Sequence, residues 1–179
     1  MKSVLFVCTA NMCRSPMAEA LFRSLVHDRG ESDEWRIESA GVRASAGQPA
    51  TGNTQLVAAE RGLDLSGHRS QLATRATLEP FSLVLVMEEA HSCQLREVAP
   101  NLADRIYLLS ELVGQRSDIW DPAGSDGRRG QESRRPDSRS GPPGGSGCGA
   151  IQHRSYPGVL FHLYQQLGAA HGVRTGEPQ

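Results

Sequence analysis

Three side chains near the start of the chain carry reactive chemistry at close spacing. In "VCTANMCRSP", residues 7–16, Cys8 stands six positions before Arg14, which is followed at once by Ser15. An apolar run leads into this stretch and a helix-like run leads out of it. A loop between a strand and a helix wraps backbone N–H groups around one point, and the helix N-terminus adds unpaired N–H groups and positive partial charge. Arg14 supplies a planar fork that fits two phosphate oxygens. The same positive surroundings favour the thiolate of Cys8. A thiolate beneath a bound tetrahedral dianion is a nucleophile aimed at phosphorus. An ATP-type phosphate loop is a poor alternative, because its Gly-Lys-Ser/Thr ending is missing. A cysteine on a buried strand is ordinarily a small inert hydrophobe; here the spacing to Arg14 and Ser15 overrides that reading. Cys13, on the same loop, could close a reversible disulfide with Cys8 that protects the nucleophile from over-oxidation. A phosphate ester also needs a proton for its leaving oxygen. Asp121 in "DIWDPAG" is the candidate general acid, ahead of Asp118, because Pro122 stiffens the chain after it.

These residues need elements to hold them. "SVLFVC" reads as a strand buried on both faces, since its apolar residues run without alternation. A helix follows from about Ser15 to Arg29, with Pro16 in its first turn and Met17, Ala20, Leu21 and Leu25 on one face. "WRIESAG" is a second strand, "NTQLVAAERG" a helix ending at Gly62, and "FSLVLVM" another buried strand. The helix after it stops at Pro100, and "RIYLLSEL" is a fourth strand. The alternation predicts an α/β fold: an open parallel four-stranded sheet with helices on both faces and the phosphate-binding loop after the first strand. Ligands of such sheets bind outside the carboxyl ends of the strands, where Cys8 lies.

With 179 residues the chain suits one domain of ordinary size, or one domain plus a tail. Its net charge of −1 implies no general attraction to nucleic acid or to a membrane surface. No apolar stretch is long enough to span a bilayer, and "MKSVLFVC" is a poor signal peptide. The four cysteines, at 8, 13, 93 and 148, form neither a disulfide framework nor a zinc pattern. A reducing cytoplasm is the expected compartment. The composition changes after Gly124, which sets residues 1–125 apart as the folded domain. Residues 126–150, rich in Gly, Arg, Ser and Pro, are predicted to be disordered. Residues 151–179 hold a short amphipathic helix around Leu160, Leu163, Tyr164 and Leu167, followed by a tail.

Taken together, "VLFVCTANMCRSPMAEALFR", "SAG" at 39–41, "GLDLSGHRS" at 62–70, "LVLVM" at 83–87 and "DPAG" at 121–124 resemble the low-molecular-weight protein tyrosine phosphatases. They stand in that family's order and approximate spacing. The resemblance implies Cys8 as nucleophile, Arg14 as phosphate clamp, and Ser15 as a hydroxyl that assists the thiolate as leaving group. Asp121 would be acid and then base, while Asn11, Ser39 and His68 would form a hydrogen-bond network holding the loop. On their own, Asn11 is a turn residue, Ser39 a strand-end hydroxyl and His68 a surface histidine. The implied substrate is a phosphorylated protein, processed through a phosphocysteine without metal or organic cofactor. The chain departs from the family in lacking aromatic walls: Ala123 follows Asp-Pro, and "VRASAG" after residue 41 contains no aromatic. A phosphoarginine-directed branch resembles "CTANMCRSP" but has threonine where this chain has Met12. Arsenate reductases that share the loop require two further neighbouring cysteines, and the stretch from Met87 to Cys93 contains one. The family's long helix after Asp-Pro has no counterpart in residues 125–150. Either residues 159–167 supply it late, or the coding sequence shifts frame near residue 127.

Overall fold

Strand β1 (Lys2–Cys8) buries every residue from Ser3 to Cys8, as expected of an apolar run with neighbours on both sides and both faces. It is described, with residues 1–119 and 121 of the chain, by a computed structural model. Strands β2 (Trp35–Gly41), β3 (Leu83–Val86) and β4 (Ile106–Leu108) complete the sheet. All pairings are parallel and the order is β2-β1-β3-β4. The chain therefore leaves β1 toward one edge and later crosses to the other side. That reversal opens a crevice at the carboxyl ends of β1 and β3, and the loop after Cys8 lies there.

Period-two alternation divides the core between two layers. Val4 and Phe6 pack with helix α1 (Arg14–Asp28) and with Ala58 of helix α2 (Gly52–Ala59). Leu5 and Val7 pack with Leu78 of the short helix α3 (Arg75–Leu78) and Leu95 of helix α4 (Glu89–Val98). Three 3-10 turns, Ser32–Glu34, Pro100–Arg105 and Leu109–Val113, complete the connections.

The open parallel sheet with helices on both faces is the architecture expected from the sequence. Four details differ. The buried stripe of α1 is turned from Ala20 and Leu25, which are half-buried, toward Ala18, Phe22 and Val26. Phe22 sets that rotation by entering edge-on between Phe6 (5.8 Å) and Trp35 (4.9 Å). Helix α2 ends at Ala59, and Gly62 instead takes positive φ (71°) in the turn that follows. The fourth strand is only three residues long, because the chain tightens into the 3-10 turn that begins at Leu109. Helix α3 was not predicted: four residues are too few to show a helical period. The expectations for residues 126–150 and 151–179 fall outside the described residues.

Candidate active site

The loop from Thr9 to Cys13 is shaped by the partners of its carbonyl groups. Val42 N–H donates to the Cys8 carbonyl (2.9 Å) and Arg43 N–H to that of Thr9 (2.8 Å). His68 Nε2 donates to the Asn11 carbonyl at 2.7 Å. Thr51 N–H donates to Met12 O (3.0 Å) and Met17 N–H to Cys13 O (3.2 Å). A planar trans peptide points its N–H opposite its C=O. With these carbonyls bound from outside, the N–H groups of Thr9, Ala10, Met12, Cys13 and Arg14 turn to the other side, as in an anion-binding nest. The N-cap of α1, Cys13, makes no side-chain cap and no acidic residue stands in the first turn, so the helix end keeps its positive partial charge.

Asn11 is the hub of the loop. It is fully buried, and it is the non-glycine residue with positive φ (56°) among the described residues. Its Nδ2 donates to Ser15 Oγ (2.9 Å) and to Ser39 Oγ (2.8 Å). Its Oδ1 accepts from Gln71 N–H at 2.9 Å. Asparagine tolerates this backbone region better than most residues, and three side-chain hydrogen bonds offset the remaining strain. His68, which also reaches this residue, carries its proton on Nε2, since a carbonyl oxygen only accepts.

Cys8 lies at the bottom of the loop, 3% exposed. Asn11 N–H points at its sulfur (3.3 Å), and Ser15 Oγ stands 3.0 Å from it. Ser15 Oγ also lies 3.1 Å from the Ala40 carbonyl, to which it can donate. One hydroxyl proton cannot serve both acceptors. With Cys8 as a thiol, S–H donates to Ser15, which donates to Ala40; with Cys8 as a thiolate, Ser15 turns its proton to the sulfur.

Arg14 is 1% exposed and held on all sides. Nη1 donates to Glu88 Oε1 and to the Ile119 carbonyl (2.7 Å). Nη2 donates to Thr9 Oγ1 (3.2 Å) and Asp121 Oδ2 (2.7 Å). Its buried Nε–H has no partner among the described residues. Asp121 is about a third exposed, so it reaches both Arg14 and solvent. Asp118 is occupied elsewhere, accepting from Glu89 N–H at the start of α4 (2.8 Å).

The structure thus brings Cys8, Asn11, Arg14, Ser15, Ser39, His68 and Asp121 to one sheet edge. Cys13 is on the loop, half-buried, with Sγ 3.4 Å from Thr51 Oγ1. Among the described residues no group of three or more His, Cys, Asp or Glu side chains is placed to hold a metal ion, and no helix is long and apolar enough to cross a membrane. The sequence did not single out Glu88, Thr9, Gln71 or His91. Glu88 carried a signal: it is the first charged residue beyond the buried strand β3, at the edge where ligands bind. Ala123, which stands where an aromatic wall is expected, lies outside the described residues.

The family model for low molecular weight phosphotyrosine protein phosphatases matches residues 3–133. The chain is 36% identical over 121 residues to the probable low molecular weight protein-tyrosine-phosphatase EpsP of Ralstonia solanacearum, covering 68% of this chain and 78% of that one. It is 37% identical over 122 residues to the protein-arginine-phosphatase of Bacillus subtilis, covering 68% and 79%. Among solved structures it resembles a low molecular weight protein tyrosine phosphatase from T. tengcongensis, with a TM-score of 0.67, 30% identity and 97% of each chain covered. By these matches, and with a cysteine, an arginine and an aspartate gathered at one loop, the chain belongs to the low molecular weight phosphotyrosine protein phosphatase family, whose members are cysteine-dependent phosphatases.

Proposed function

We propose that this chain hydrolyses phosphate monoesters of protein substrates, phosphotyrosine first among them, with Cys8 as nucleophile, Arg14 as phosphate clamp and Asp121 as acid and base. The observation that carries this reading is the enclosed Arg14 guanidinium, whose Nε–H has no partner among the described residues and whose Nη2 is bonded to Asp121. The inward N–H groups and Arg14 hold the three non-bridging phosphate oxygens. The bound phosphate takes the place of Asp121 on Arg14 Nη2, and the released carboxyl carries a proton; the Cys8 thiolate attacks phosphorus in line, and as the P–O bond breaks Asp121 gives that proton to the leaving oxygen. Asp121 then takes a proton from water, whose oxygen attacks phosphorus. The P–S bond breaks, orthophosphate leaves, and Ser15 donates to the departing thiolate. Asn11, Ser39 and His68 keep the loop in shape, and Cys13 is near enough in sequence to guard Cys8 against over-oxidation. A reducing cytoplasm suits a mechanism that depends on a free thiolate.

Cys8→Ser should abolish release of p-nitrophenol from p-nitrophenyl phosphate yet still bind inorganic phosphate. Asp121→Asn should slow turnover by about 10²- to 10⁴-fold. Wild-type activity in Cys8→Ser would overturn the reading. Phosphoarginine is the second reading, favoured by the 37% identity to the Bacillus subtilis protein-arginine-phosphatase. Met12 weighs against it, being bulkier than threonine and without a hydroxyl. Parallel assays on phosphotyrosine and phosphoarginine peptides, with the Met12→Thr variant alongside, separate the two. An arsenate reductase would have to relay a disulfide outward, and of the cysteines beyond the loop Cys93 is exposed on α4 while Cys148 lies outside the described residues.

A further inference from the structure

His91, on α4, is 3% exposed, and none of the roles above uses it. Its Nε2 lies 3.0 Å from Thr9 Oγ1, while its Nδ1 is buried with no partner among the described residues. Thr9 Oγ1 also accepts from Arg14 Nη2 at 3.2 Å. We propose that His91 is a positioning residue of the phosphate site, acting through the Thr9 hydroxyl beside Arg14. The proposal rests on the phosphatase reading and adds a hydrogen bond to it.

Three protons are shared among Arg14, Thr9 and His91. Arg14 has only donors, so one lone pair of Thr9 Oγ1 is committed to it. His91 then either accepts the Thr9 proton at Nε2 or donates its own. In the first case Nδ1 carries a buried N–H without a partner; in the second it carries a bare lone pair. Buried orphan donors are the rarer and more costly of the two. The Nε2–H form is therefore favoured, and His91 donates to Thr9. Both lone pairs of the threonine oxygen are then filled, one by His91 and one by Arg14. Its own proton can go only to a third atom, an oxygen of the anion that Arg14 clamps. Without His91, the hydroxyl can turn its proton elsewhere and the phosphate loses a fixed donor.

Burial, more than the charges around it, keeps the imidazole neutral. Burial lowers the pKa of His91 from its ordinary value, and Arg14 adds to the lowering, against the opposing pull of Glu88, Asp118 and Asp121. Glu88 Oε1, the closest of these, is 3.9 Å from Nε2, beyond hydrogen-bond reach, and is already engaged by Arg14. Near neutral pH the ring is thus a neutral donor, not an additional cation in the site.

The test measures competitive inhibition of p-nitrophenyl phosphate hydrolysis by inorganic phosphate, on chains shown to be folded by circular dichroism. His91→Ala and Thr9→Val should each raise the phosphate inhibition constant by about 3- to 10-fold, the worth of one hydrogen bond. The double variant should be no worse than either single one, because both remove the same donor. His91→Gln, whose side-chain amide can donate from the place of Nε2, should restore most of the affinity. So should Thr9→Ser relative to Thr9→Val. A residue that only fills space would give additive losses and no rescue by glutamine. Additive effects, or phosphate affinity unchanged in His91→Ala, would overturn the proposal while leaving the phosphatase reading intact. If the wild-type chain neither turns over the ester nor binds phosphate, the phosphatase reading falls and the proposal falls with it.

Discussion

Ser15 shows how much chemistry one hydroxyl can hold. Its single proton has two claimants, the Ala40 carbonyl at 3.1 Å and the Cys8 sulfur at 3.0 Å, and Asn11 Nδ2 fixes the oxygen between them. In the proposed mechanism a switch between claimants helps most where the sulfur gains negative charge, which is when the phosphocysteine breaks down. Ser15→Ala should therefore slow the second step more than the first. A hydrogen bond to a charged group contributes about 1.5–3 kcal/mol, so the loss should be roughly 10- to 150-fold. The signature is a burst of p-nitrophenol followed by slow turnover, as the phosphoenzyme accumulates; a slowed first step with no burst would count against the switch. That Cys8, Arg14 and Asp121 would meet at one site was legible in the sequence, because a strand, a short loop and a helix start hold the first two together and the loop after the fourth strand returns the third to the same edge. Glu88, Gln71 and His91 were not. They reach the loop through contacts 60 to 82 positions away, and no local pattern announces them.

At the scale of elements, β2 does more than pair with β1. A Cβ placed on Gly41 would lie 2.7 Å from Asn11 N, 2.7 Å from Thr9 O and 2.9 Å from Ala10 C. All three are backbone atoms and cannot swing aside. Gly41→Ala should push the end of β2 away from the loop and lower phosphate affinity together with thermal stability. Overpacking of this kind typically costs about 1–3 kcal/mol. Thr51→Ala offers a contrast. Thr51 caps α2 by accepting from Thr54 N–H, so its loss should cost about 1 kcal/mol in stability. Its backbone N–H, which holds Met12 O, is retained, so phosphate binding should fall less than in Gly41→Ala. Thermal melts and phosphate titration on the two variants provide the comparison. Long elements were legible from periodicity: β1, β2 and the helix after each are found within a few residues of expectation. The short ones were missed or overextended, because β4 and α3 have three and four residues and their limits are set by tertiary contacts.

For the molecule as a whole, stability is centred on β1, which pairs on both sides and buries its side chains on both faces. Amides of Val4–Val7 should exchange most slowly with deuterium, and those of β4, with its three residues, faster. Phe22→Ala should cost about 3–5 kcal/mol, since it removes a fully buried ring that joins α1 to both Phe6 and Trp35. A chemical melt with unchanged slope would confirm a loss of stability without a change in the unfolded state. The central position of β1 also bears on how the protein is made. The middle strand leaves the ribosome before either of its flanks, and the loop it carries is synthesised before the groups that give it shape. Asn11 must wait 60 residues for Gln71, and Arg14 must wait 105 for the Ile119 carbonyl. At about 5–20 residues per second, the nascent chain carries an unshaped Cys8 loop for roughly 5–20 s. During that interval the thiol should behave as an ordinary cysteine, and arrested chains that expose only the first 60 residues should show no reactivity toward phosphate esters.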